Sequence, residues 1–85
     1  MKRILVVDDE PLQREILKTI LDDEGYETYT ASSGEEGLKI VDKLHPDVVL
    51  TDLKMEDMEG IEFIESIPRE PFEPSMIVMT AYGTI

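Results

Sequence analysis

The stretch ILVVDDEP, from Ile4 to Pro11, decides the fold. Its four apolar residues stop at three carboxylates, Asp8, Asp9 and Glu10, and a proline follows. A short, continuous, largely β-branched run reads as a strand covered on both faces, as in a parallel sheet. Pro11 suits the first position of a helix, where its missing N–H has no partner to lose. The carboxylates between strand and helix pose an electrostatic problem. Two like charges about 4 Å apart repel by roughly 4 kcal/mol at an effective dielectric of about 20. Either the acids splay into water, or a positive charge belongs among them.

Working outward, Leu12, Ile16, Leu17, Ile20 and Leu21 recur at helical spacing with polar residues between them, and Gly25 stops that helix. Tyr26–Ala31 alternates as a strand does. Ser33, with Glu36 following three residues on, forms a capping box for a second helix that carries Leu38, Val41 and Leu44 and ends before Pro46. Asp47–Asp52 is a second apolar strand ending in an acid. The loop LKMEDMEG leads to a short helix with Ile61, Ile64 and Ile67, broken by PREPFEP, and Ser75–Ala81 is a last strand. Strand and helix alternate throughout. The fold class is therefore α/β, with a parallel sheet and right-handed crossovers.

The chain has 85 residues, enough for one small domain. Twenty acidic against eight basic residues give a net charge of −12. That balance argues against binding nucleic acid or an anionic membrane, and it is compatible with a cation or a basic partner. Without cysteine, disulfides and thiolate metal sites are excluded. MKRILVVDDE is too short in its apolar part for a signal peptide, and no run reaches membrane-spanning length. A soluble, cytoplasmic protein is expected.

Parallel strands point their carboxyl ends one way, and ligands bind there. Asp8 and Asp9 end the first strand, Asp52 the third, Thr80 the fourth. If the first and third strands are neighbours, about 4.8 Å apart, three carboxylates distant in sequence share one pocket. Taken singly, each residue has an ordinary reading as a helix cap, a turn former or a strand former. Those readings do not account for the acids converging at one end of one sheet. A pocket of oxygen donors favours a hard divalent cation, and Mg2+ leaves room for water and phosphate. An aspartate in such a pocket can act as a nucleophile toward phosphorus.

The chain resembles the receiver domain of bacterial two-component response regulators. LVVDDEP, TDLKMEDMEG and MTAYG stand in the family's order and separation, and the resemblance covers all 85 residues. It implies a flavodoxin-like topology with strand order 2-1-3-4. It implies Asp52 as phosphoacceptor, Asp9 as a direct Mg2+ ligand, and Asp8 as a ligand or the holder of a metal-bound water. The backbone carbonyl of Lys54 would complete the protein ligands. Thr80 matches the hydroxyl that moves to the phosphoryl oxygen, and the N–H groups of Leu53 and Ala81 would help to hold that group. Gly60 matches the glycine that closes the loop. The implied partners are a histidine kinase as donor and an effector domain. MTAYGTI further resembles receivers of nitrogen-regulator-type transcriptional activators.

Two departures stand out. Glu56 replaces the family's usual proline. The pattern also stops after the fourth strand, so a partial receiver over residues 1–85 is expected, without the fourth helix, the fifth strand and the fifth helix. The lysine that pairs with the phosphoryl group goes with them. Apolar surface should then lie open on one sheet face, with impaired phosphorylation and output. A second copy of the chain is an expected cover for that face. Against the signalling module stands a phosphorylation-dead binding or assembly fragment acting through the same face. An aspartate-dependent phosphohydrolase fits less well, because a second Asp two residues after the first-strand nucleophile is absent. A flavodoxin-like cofactor binder needs a Ser/Thr/Gly-rich loop where DDEPLQ stands. Pro68, Pro71 and Pro74 read as a stiff loop rather than a polyproline ligand, His45 as a solvated loop residue, and Phe63 and Phe72 as anchors of core or loop.

Overall fold

The computed structural model describes residues 2–52, 55, 57–67 and 74–79. Its elements are β1 (Arg3–Val7), α1 (Pro11–Asp23), β2 (Glu27–Ala31), α2 (Gly34–Leu44), β3 (Val48–Asp52), α3 (Gly60–Ser66) and β4 (Ser75–Met79). The strands form one sheet in the order β2-β1-β3-β4, with every pairing parallel. Val7 stands opposite both Ala31 and Thr51, and Asp52 opposite Met79. The first and third strands are therefore neighbours, as the converging acids require. Among the described residues no helix is long and apolar enough to cross a membrane.

Local chemistry sets the boundaries. Pro11 begins α1. The N–H of Glu24 returns to the carbonyls of Ile20 and Leu21, and Gly25 turns the chain away at φ 94°, a conformation that glycine adopts without a Cβ clash. At the start of α2 the Ser33 hydroxyl accepts from the N–H of Glu36 at 3.1 Å, the first half of the capping box. The second half differs from the expectation. The Glu36 carboxylate accepts from the N–H and the hydroxyl of Ser32, at 2.7 and 2.9 Å, and so reaches one residue further back. Ser32 offers that carboxylate two donors, where the backbone of Ser33 would offer one. His45 caps the other end of α2 in the left-handed region, φ 49°, and Pro46 follows, which suits a helix stop.

The pleat divides the side chains between two faces. Leu5, Val7, Ala31 and Val49 lie on one, packed with Val41, Phe63, Ile67 and Met55 beneath α2 and α3. Phe63 is fully buried. A Cβ added to Gly37 would stand 2.9 Å from its ring and 3.0 Å from Val7, so glycine is what lets α2 approach. By register Ile4, Val6, Thr28, Val48, Leu50 and Ile77 share the opposite face. There α1 packs on β2 and β1. Ile4 and Val6 are buried, but Ile77 is half exposed, and so are Ile16 and Ile20 of α1, while Leu12 is more exposed still. No residue of α1 is fully buried, despite its apolar positions at helical spacing. Among the described residues, apolar surface is open on this face.

Candidate metal centre

The turn after β1 delivers Asp8 and Asp9, and the last residue of β3 is Asp52. Because β1 and β3 pair in parallel, these positions meet at one end of the sheet. Asp8, Asp9 and Asp52 each offer a carboxylate oxygen, and the three oxygens lie within 4.8 Å of one another. The carboxylates are thus together although more than 40 residues separate the first from the last.

Asp8 is 4% exposed, and its backbone and side chain are both anchored. Its N–H donates to the carbonyl of Ala31 at 3.1 Å, and its own carbonyl accepts from Arg14 Nη1 at 2.7 Å. One carboxylate oxygen accepts from the N–H of Glu10 at 2.9 Å. Burial pushes the Asp8 carboxyl above its ordinary value. The Glu10 N–H and the Arg14 guanidinium oppose that rise, while the neighbouring Asp52 and Asp9 add to it. Asp8 is thus a buried acid facing two others, in an arrangement that a cation would stabilise. Asp52 is partly buried, and the hydroxyl of the fully buried Thr51 donates to its carbonyl at 3.1 Å, tying down the end of β3.

Leu53, Lys54, Glu56, Thr80 and Ala81 lie outside the described residues, as do Pro68, Pro71 and Phe72. Gly60 opens α3 and is buried. The sequence reading did not single out Arg14, Thr51 or Asp57. Arg14 sits one helical turn after the acids, a spacing that could have marked it; Thr51 reads only as a good strand former. Asp57 is one acid in a loop of several. Its carboxylate accepts from the N–H groups of Gly34 and Glu35, at 3.0 and 2.9 Å, across the sheet end from its own loop. Those donors hold its pKa below the ordinary carboxylate value, the Glu35 N–H most and the Gly34 N–H next.

The donor set is made of oxygens alone and supplies few ligands, which fits a hard divalent cation that keeps some of its water. Magnesium meets that description, and Asp8, Asp9 and Asp52 would hold it.

The family model of the response regulator receiver domain matches residues 4–85. Sporulation initiation phosphotransferase F of Bacillus subtilis is 39% identical over 84 residues, which are 99% of this chain and 68% of that protein. The regulatory protein AtoC of Escherichia coli is 38% identical over 85 residues, all of this chain but only 18% of that protein. Among solved structures, the response regulator TrrA of Thermotoga maritima, in complex with Mg2+-BeF, superposes with a TM-score of 0.88 at 46% identity, over 98% of this chain and 72% of that one. A CheY-like receiver domain protein of Methanospirillum hungatei gives a TM-score of 0.90 at 35% identity, over 100% of this chain and 68% of that one.

Proposed function

The chain belongs to the response regulator receiver family, and from that premise we propose that Asp52 accepts a phosphoryl group from a histidine kinase, with Mg2+ held by Asp8, Asp9 and Asp52. The observation that carries this reading is the meeting of three carboxylates from two parallel strands, with oxygens within 4.8 Å. Members of the family are signalling modules, and the fold puts the acids where ligands of parallel sheets bind.

In the transfer, a carboxylate oxygen of Asp52 attacks phosphorus in line. The new oxygen–phosphorus bond forms as the bond to the donor imidazole breaks, and the electron pair leaves with that nitrogen. The bound cation would neutralise charge on the phosphoryl oxygens and shield them from the acids. Asp8, anchored by the Glu10 N–H and the Arg14 clamp, keeps its carboxylate aimed at the shared pocket. Thr51 fixes the strand end from which Asp52 projects. The carbonyl of Lys54 as a further ligand, the N–H groups of Leu53 and Ala81 on the phosphoryl group and the Thr80 hydroxyl as a switch are parts of the same proposal. An effector domain would receive the signal.

Intact-mass detection of phosphoryl transfer from a small phosphodonor tests this. Mass is gained only with magnesium, and the Asp52→Asn variant gains none. A folded wild-type sample that stays unmodified refutes the acceptor role. A second reading is favoured by the exposed Leu12, Ile16, Ile20 and Ile77. In it the chain works by docking this face onto another copy of itself and accepts no phosphate. A defined oligomer in size-exclusion chromatography, without mass gain, would support it.

A further inference from the structure

We propose that Asp57 is a positioning residue for the cation site, a latch that fastens the loop after Asp52 to the start of α2. The inference rests on the reading of Asp8, Asp9 and Asp52 as that site.

A helix begins with N–H groups that have no partner within it. At α2, the Asp57 carboxylate accepts from two of them, those of Gly34 and Glu35, at 3.0 and 2.9 Å. The positive end of the helix favours a carboxylate there. Ser33 serves a different N–H, that of Glu36, so the helix has its own local cap besides this one from a distant loop.

The neighbours of Asp57 are fixed as well. Met58 lies against Gly34 so closely that an added Cβ would stand 2.5 Å from its Cγ and Sδ. The N–H of Met55 donates to the carbonyl of Met58 at 3.1 Å, and Met55 is buried in the core. Met55, Asp57 and Met58 thus form a turn pinned at both ends. Met55 follows Lys54 directly. Its N–H belongs to the same planar peptide unit as the carbonyl of Lys54, which the proposed function makes a metal ligand. Restraint on Met58 by Asp57 and Gly34 therefore reaches the Met55 N–H. Groups that orient metal ligands from outside the coordination sphere commonly carry about tenfold in affinity or more.

Magnesium titration calorimetry on the wild type and on Asp57→Ala, Asp57→Asn and Ser33→Ala tests the latch. An ionic strength of about 0.5 M, with a Debye length of about 4 Å, suppresses any through-space effect of the lost charge. Asp57→Ala should weaken magnesium binding about tenfold. Asp57→Asn should fall in between, since an amide oxygen can still accept from one N–H. Ser33→Ala removes the other cap of the same helix and should leave magnesium binding within about twofold, because the Ser33 hydroxyl serves the Glu36 N–H and not one of those that Asp57 holds. If Asp57→Ala binds like the wild type, or Ser33→Ala weakens binding as much, the latch is refuted while the cation site stands. If Asp57→Ala does not fold, Asp57→Asn decides: wild-type affinity refutes the latch, and a weaker value upholds it. If the wild type itself binds no magnesium, the cation site falls and the latch with it.

Discussion

On one face of the sheet Leu5, Val7 and Val49 are sealed under α2 and α3, with the Phe63 ring among them. On the other, Ile4 and Val6 are buried, yet Ile77 is 50% exposed and α1 leaves Leu12, Ile16 and Ile20 in solvent. β1 and β3 are apolar on both sides and do not explain the contrast, whereas in β4 Val78 is exposed on the first face as Ile77 is on the second. What differs is the cover. Two helices converge over the first face, and on the second α1 packs on β2 and β1. An apolar strand is a demand for cover on both faces, and how well each demand is met depends on helices elsewhere in the chain.

The contrast can be broken by mutation. Phe63→Ala should have the largest effect, a loss of about 3–5 kcal/mol, because it empties the middle of the sealed face. That is a large part of the stability of any small domain. Urea denaturation measures it, and a loss under about 1 kcal/mol would mean that the face is not closely packed. Gly37→Ala is the subtler probe. Alanine gains about 1 kcal/mol of helix propensity, but its methyl would meet Phe63 and Val7 at 2.9 and 3.0 Å, and overpacking costs about 1–3 kcal/mol. A net loss of about 1 kcal/mol is expected by the same assay; a gain would show that α2 has room to retreat. Smallest should be Ile16→Ser and Ile20→Ser on the open face, each within about 0.5 kcal/mol. A loss above about 2 kcal/mol that grows with protein concentration would instead show that a second copy covers this face.

Much of this was legible in the chain. The alternation of apolar runs and amphipathic stretches, with Pro11, Gly25, Ser33 and Pro46 as punctuation, determines the elements, because those residues act on the backbone nearest them. Convergence of Asp8, Asp9 and Asp52 followed from parallel strand geometry, once the first and third strands were taken as neighbours. Less local relations were harder to read. The reach of Glu36 to Ser32 instead of Ser33 depends on rotamers. The bond of Asp57 to α2 joins residues more than 20 positions apart. The close approach at Gly37 needs the position of Phe63, which no local pattern supplies.

The central claim is that the three acids form one cation site at the strand ends, with Asp8 as its buried member. Thermal melting of the wild type and of Asp8→Asn across a magnesium titration tests it most directly. Without magnesium the variant should melt higher, since Asn retains an acceptor for the Glu10 N–H and removes a buried charge beside two like ones; about 1 kcal/mol corresponds to roughly 4–8 °C for a chain of this size. With saturating magnesium the wild type should rise, by about 2.7 kcal/mol at a hundred times the Kd, and the variant should barely move. Equal responses in the two proteins, or none in either, would contradict the account.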